Sequence, residues 1–368
     1  MSWHAVAALD DAVDATRRFL FPFSLVRWAK LAFLILLMGG SGASVNAPVS
    51  FVSDTGVAPP RGTDWGLGDV GPNPAAIERS VGSIDPGALA VVAFGIVLLI
   101  VAFSVASLSL RLVFYDAVRT NRVRIWRPFL ARLRQAIGLF LFTVTLSVAA
   151  AAPVALAVLV TVAADAPIGW EPVDTVAGTL GSLSVGTTVV LGVLGAVFVA
   201  VAVLALRFTY EFVVPTMIVE GTGVLGGWSR FWTTLRAEWT ELVVYLFVHF
   251  VVSLGLSVVA GIAAVLAFAL VAAVAGLVLL LVAVAFGGLG ALVGTTAGAA
   301  AIALAVLAGS AVLLVLLLPV QVLTQSYRIA YEVSTLGGMD PDLALLHPDL
   351  GSRASGSPEG DAADPSDR

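Results

Sequence analysis

Residues 242–327 read LVVYLFVHFVVSLGLSVVAGIAAVLAFALVAAVAGLVLLLVAVAFGGLGALVGTTAGAAAIALAVLAGSAVLLVLLLPVQVLTQSY, 86 residues without one Asp, Glu, Lys or Arg. A helix needs about 20 mostly apolar residues to cross a bilayer. At about 1.5 Å per residue this stretch is long enough for two to four crossings. Glycines at 287, 288, 290, 294 and 298, beside Thr295 and Thr296, put its main break near the middle. One helix is expected over about 242–268 and the last over about 300–325. Segment 269–286 either crosses, extends the fifth helix or forms a buried re-entrant piece.

Four shorter gaps in the charge lie upstream, at 31–53, 86–110, 135–164 and 175–206. Each suits one helix, over about 27–44, 87–110, 136–160 and 186–207. The first is the weakest, because Gly39, Gly40, Gly42, Asn46 and Pro48 end its apolar run, while Arg27 and Lys30 can snorkel at its other end. The expected fold class is all-α: a polytopic helical membrane protein with six transmembrane helices. A segment 1–26 precedes the membrane domain 27–335, and an acidic Gly/Ser/Pro/Asp tail, 336–368, follows it and is expected to be disordered.

Composition agrees. Of 368 residues 59% are apolar and 12% charged, about half the charge of a soluble chain, which excludes a soluble enzyme and a nucleic-acid binder. There is no Cys, so no disulfide, thiolate nucleophile or Cys-bound metal is expected. The net charge of −5 and a single Lys, Lys30, suit a halophile, where salt screens charges within about 3 Å.

Of the 19 basic residues, 17 fall in segments 1–30, 111–134, 207–236 and the end from Arg328, and only Arg61 and Arg79 in the intervening loops. Given an even number of crossings of the cell membrane, the positive-inside rule places both termini in the cytoplasm, whereas an odd number would put Arg328 and the tail outside.

Three sites repeat a pattern at the inner ends of apolar helices: Arg111 with Tyr115-Asp116, Arg207 with Tyr210-Glu211, and Arg328 with Tyr331-Glu332. A second pattern precedes the third and fifth helices, Trp126 with Phe129 and Arg134, and Trp228 with Phe231 and Arg236. Phe19, Phe21, Phe23, Arg27 and Trp28 form a degenerate first copy. The chain therefore divides into three two-helix repeats, about 10–116, 117–211 and 212–332, with cytoplasmic interfacial helices.

Trp and Arg suit headgroup depth. The contact surface expected for lipid or partner is Arg119, Arg122, Arg124, Trp126, Arg127, Arg132 and Arg134, with Trp228, Arg230 and Arg236. The competing account of these residues is topogenic charge alone. In segment 1–18, Trp3, Val6, Leu9 and Val13 share one helical face with Asp10, Asp11 and Asp14 mainly opposite, which reads as a short in-plane helix or a docking site.

Within the expected spans His249 is the one group that titrates near neutrality, and Gln321 and Gln325 add polarity near the inner end of the last helix. These form the candidate intramembrane polar site, with interhelical hydrogen bonding as the plain alternative. The histidines at 4, 249 and 347 have no metal spacing, so no metal, cofactor or catalytic residue is expected. An intramembrane hydrolase would need a serine, histidine or acid cluster that the sequence does not offer.

The string FLFPF at 19–23 with Trp28, the Tyr-acid helix ends, and FVVPTMIVEGTGVLGGWSRFWTTLRAEWTE at 212–241 resemble a group of uncharacterised multi-pass membrane proteins of halophilic archaea. More distantly the chain is similar to the membrane domain attached to some bacterial glycerophosphodiester phosphodiesterases. The resemblance implies a six-helix module with no established activity, and the phosphodiesterase's His and acidic metal ligands have no counterpart here. The expected function is a non-enzymatic module that binds membrane lipids, a membrane protein partner or a second copy of itself. The alternative is a facilitator or exporter of a neutral or amphipathic solute.

Overall fold

The computed structural model describes residues 4–38, 85–165, 169, 171–181 and 184–351. Among these every regular element is helical. Five helices are long and apolar enough to cross a membrane, which makes this a multi-pass membrane protein by length and composition.

Helix α1 is His4–Leu20, α2 is Leu25–Met38, and α3 runs Pro86–Thr120. Asp85 caps the start of α3, accepting from Ala88 N at 3.0 Å, and Pro86 sits where its missing N–H costs nothing. Asn121, left-handed at φ 49°, stops it. Helix α4 is Trp126–Asp165. A short α5, Glu171–Gly181, has Glu171 and Asp174 in its first turn, where the helix dipole favours acids. Helix α6, Val185–Phe208, passes through a π turn, Thr209–Val213, into α7, Val214–Glu220. Pro215 has no N–H to donate to the Glu211 carbonyl four residues earlier, so the α ladder cannot run through this point.

Helix α8 is Val224–Ala237, and α9 is Trp239–Ala285. Gly287 and Gly288, at φ 89° and 124°, turn the chain into α10, Leu289–Gly294. Thr295 then caps α11, Thr296–Met339.

The spans overrun their apolar stretches. Helix α9 has 47 residues and α11 has 44, so at about 1.5 Å each they exceed a bilayer's hydrocarbon core of about 30 Å. Segment 269–285 extends α9, which selects one of the three sequence alternatives. The expected first crossing, 27–44, is described only as far as Met38, a 14-residue helix, and its end lies outside the described residues.

The overrunning ends build a cap. Buried side chains concentrate on α1, α2, the last turns of α3, the π turn with α7, α8, the first turns of α9 and the last turns of α11. The hydrocarbon portions are the reverse: in no spanning window is more than 11% of the residues buried by the protein. Helix α3 lies against α2 and α4, α4 against α6, and α9 against α11. Arg27 donates to Asn121 Oδ1 at 2.8 Å and Ser107 to Leu37 O at 2.7 Å, so α2 leaves the cap beside α3. At Gly227 on α8 an added Cβ would lie 2.8 Å from Met217 Cγ and 2.9 Å from Val213 Cγ1, so only glycine lets α8 close onto the π turn.

On α1 the face that packs is the small-residue one, and one expectation, the start of the tail, is corrected. On α1 the buried residues are Ala5, Ala8, Ala12, Ala15, Thr16, Phe19 and Leu20, while Val6 and Val13 are exposed. The helix packs along α11 and α9, and small side chains allow backbones closer than the larger Val face would. The tail also begins later than residue 336. Helix α11 runs to Met339, and Leu343, Leu345 and Leu350 fold back into the core. Arg18 Nη1 clasps this return by donating to Gly351 O at 2.8 Å. Residues 352–368 lie outside the described residues.

Candidate functional site

The three Arg-Tyr-acid motifs meet inside the cap. Tyr115, from the first motif, donates to Glu332 Oε2 of the third at 2.9 Å and lies 3.3 Å from the backbone oxygen of Tyr210 of the second. Arg111 stacks on the Tyr210 ring, 4.6 Å from its centroid. Arg207 donates to Glu211 Oε1 at 2.9 Å, one helical turn away. Asp116 departs from the pattern: it points outward and takes a two-pronged contact from Arg132, both bonds at 2.9 Å.

Helix α9 completes the cluster. Tyr245 donates to Glu211 Oε2 at 3.0 Å, and its oxygen is 2.9 Å from His249 Nδ1. The other imidazole nitrogen lies 3.6 Å from Glu211 Oε1. Glu211, His249 and Glu332 are all buried, and each offers a metal-ligand atom within 4.8 Å of the others. Aromatic rings wall the site. Phe212 stacks on Phe231 at 5.2 Å, Tyr245 on Tyr331 at 5.6 Å, and Phe212 meets Tyr245 edge-on at 4.8 Å. Carboxylates taken from water need such fixed donors around them.

Of the expected polar site, only His249 belongs here. Gln321 is exposed and Gln325 half-buried, and neither hydrogen-bonds to the cluster. In the sequence Glu211 and Glu332 read as members of the Tyr-acid motif at the helix ends, not as partners of His249, because the expected spans stop before the charged residues. A signal existed, since Pro215 four residues after Glu211 marks a place where the helix must loosen and re-aim side chains.

The arginine belt divides into engaged and unengaged members. Arg230 contacts Glu220 at 3.3 Å and Asp340 at 2.8 Å, tying α8 to the end of α11. Arg132 holds Asp116 and donates to Gln135 at 2.8 Å. Arg119 donates to Ile218 O at 2.9 Å. Trp228 packs inward, its indole donating to Thr209 Oγ1 at 3.0 Å, and Arg236 covers the Trp232 ring at 5.1 Å.

Arg122, Arg124, Arg127 and Arg134 are exposed and have no carboxylate partner among the described residues. Trp126 beside them is 78% exposed, a large ring left uncovered by its own protein. These arginines line two adjoining open grooves of about 570 and 590 Å³ that share Asp116, Arg124 and Pro128. Arg119 and Arg122 face the first groove, and Arg127, Arg132 and Arg134 the second. His347, from the folded-back end of the chain, closes one side of the first.

Among protein families, the model that matches residues 3–346 describes a family of unknown function, DUF7544. No match was found among curated proteins or among solved structures.

Proposed function

The chain belongs to the DUF7544 family of unknown function, and we propose that it is a non-enzymatic module of the cell membrane that holds anionic lipid headgroups in its arginine grooves. The carrying observation is the set of four guanidinium groups, at 122, 124, 127 and 134, without carboxylate partners around two joined grooves. A guanidinium offers a planar fork of donors that matches phosphate oxygens. The exposed Trp126 suits the boundary between headgroups and acyl chains. The uncovered faces of the spans add the acyl contact that such a lipid needs.

In this scheme the cap lies in the cytoplasm, with both termini. Three out-and-back pairs, α2 with α3, α4 with α6, and α9 with α11, make six crossings. Support comes from the three Arg-Tyr-acid motifs, which lie near the C-terminal ends of α3, α6 and α11 and meet in one cluster, so these helices run into the cap in the same sense. A membrane-impermeant reagent should therefore leave residue 368 unlabelled in intact cells.

The test is binding of the full-length protein to vesicles or nanodiscs with and without an anionic phospholipid. A juxtamembrane basic residue contributes about 1 kcal/mol near an anionic leaflet, so changing Arg124, Arg127 and Arg134 to Gln should weaken the anionic-lipid preference about a hundredfold. Added salt should weaken the native protein more than the variant. Equal lipid preference in both proteins, with insertion intact, would leave the belt a topogenic signal and nothing more.

A further inference from the structure

From Glu211, His249 and Glu332 we infer a binding site for one divalent transition-metal ion, of the zinc or manganese class, at the junction of the π turn, α9 and α11. The site lies within the cap and is separate from the arginine grooves, whose lining it does not share.

The argument starts from protons. Tyr245 has one hydroxyl proton and two neighbours, Glu211 Oε2 at 3.0 Å and His249 Nδ1 at 2.9 Å. With Glu211 ionised, as a metal ligand must be, its carboxylate only accepts, so the Tyr245 proton goes to Glu211 and Nδ1–H of His249 donates to the Tyr245 oxygen. This assigns the tautomer: in the neutral ring Nε2 is a bare lone pair. That lone pair lies 3.6 Å from Glu211 Oε1, another acceptor. Arg207 donates to that oxygen at 2.9 Å, but the Nε2 lone pair has no donor facing it among the described residues, and a metal ion would join the two.

A metal ion suits that position chemically. Ligand nitrogen and oxygen bond zinc at about 2.0–2.2 Å, which puts neighbouring ligands about 3.4 Å apart in a tetrahedron. The three groups already lie within 4.8 Å of one another, and one pair at 3.6 Å. One imidazole and two carboxylates are a mixed N/O set, appropriate to Zn²⁺, Mn²⁺ or Fe²⁺ rather than to soft Cu(I). The ion would share the two carboxylates with Arg207, whose guanidinium lies 2.9 Å from Glu211 Oε1.

The supporting groups have the form of a metal site's outer ring. Tyr245 holds the non-ligating nitrogen of His249, Arg207 holds one oxygen of Glu211, and Tyr115 holds Glu332. Such partners orient the ligands and set the ring tautomer. The ligands stand on three elements of chain far apart in sequence, so the ion would pin the end of the second helix pair to the third.

The experiment uses the full chain, purified in detergent from metal-replete cells. Elemental analysis should find close to one equivalent of metal per chain. After chelation, titration with Zn²⁺ should restore it, and Co²⁺ should give the visible absorption of a mixed N/O site. Bound Zn²⁺ should raise the thermal midpoint, since a ligand of the folded state stabilises it by mass action.

His249→Gln and Glu332→Gln should abolish stoichiometric uptake. Tyr245→Phe, which keeps the packed ring, should lose about 10–100-fold in affinity as an orienting partner does. Gln321→Ala, exposed and outside the cluster, should bind as the native protein does. The inference is overturned if the native chain contains no metal and takes up none of Zn²⁺, Mn²⁺ or Co²⁺. It is overturned equally if uptake persists in folded His249→Gln and Glu332→Gln.

Discussion

Ala12→Gln is expected to destabilise the cap by about 2–5 kcal/mol, combining overpacking with an amide buried without a partner. Val13→Gln, one residue on, is expected to change stability by less than about 0.5 kcal/mol, as exposed substitutions usually do. Thermal or denaturant unfolding of the detergent-solubilised protein measures both. The contrast follows from burial: Ala12 is 0% exposed and Val13 53%. Ala12 lies in the row Ala5, Ala8, Ala12, Ala15 and Phe19, spaced alternately by three and four residues, so the row stays on one side of the helix. This row seats α1 on α11, where Tyr331 donates to Ala5 O at 3.1 Å, and its last member, Phe19, meets Phe114 of α3 edge-on at 6.2 Å. A face chosen by hydrophobicity alone gives the opposite order of effects. Equal loss from both substitutions would mean that α1 docks through its larger apolar residues.

That contrast also shows where the sequence is legible. The spans are readable because charge is excluded from hydrocarbon: the gaps at 86–110 and 135–164 fall within α3 and α4, most of 175–206 within α6, and 242–327 covers most of α9 and α11 with the turn between them. Their ends are not readable in the same way. Once a helix leaves the lipid, protein packing replaces lipid as its apolar surroundings, and the polar residues it then carries resemble a loop. Arg111, Arg207 and Arg328 looked like termini for this reason, yet α3 and α11 continue past theirs and α6 passes through the π turn into α7. Ala5, Ala8, Ala12 and Ala15 carry little hydrophobic signal, although small size is what brings α1 close.

The candidate site was legible as parts. The threefold Arg-Tyr-acid pattern and the lone His249 were both visible along the chain. Their meeting was not, because spacing within a helix says nothing about which helices lie side by side at one depth. The departure of Asp116 toward Arg132 was equally hidden, since Asp116 follows Tyr115 as Glu211 follows Tyr210. Asp is one methylene shorter than Glu, and the first motif also has three residues rather than two between Arg and Tyr. Both differences rotate or shorten the acid away from the cluster. Only the second and third motifs therefore contribute a carboxylate, while the first contributes a hydroxyl.

This unequal division gives the other large expected effect. Glu332→Leu should cost about 3–5 kcal/mol, because it removes one partner from a buried polar set and leaves the others unmatched. Tyr115→Phe should cost about 1–3 kcal/mol, the loss of a buried hydrogen bond with the ring still packed. The double variant is expected to fall short of the sum by about 1 kcal/mol or more, since the two groups share the 2.9 Å bond from Tyr115 to Glu332. Pairing Glu332→Leu with Val13→Gln should instead be additive, Val13 being exposed on α1. Unfolding in chelator keeps the comparison independent of any bound ion. Strict additivity of Tyr115→Phe with Glu332→Leu would mean that the first and third motifs merely lie side by side. A coupling of the expected size would make the contact between distant helix ends a source of the cap's stability, because the pair joins residues 217 positions apart in the chain.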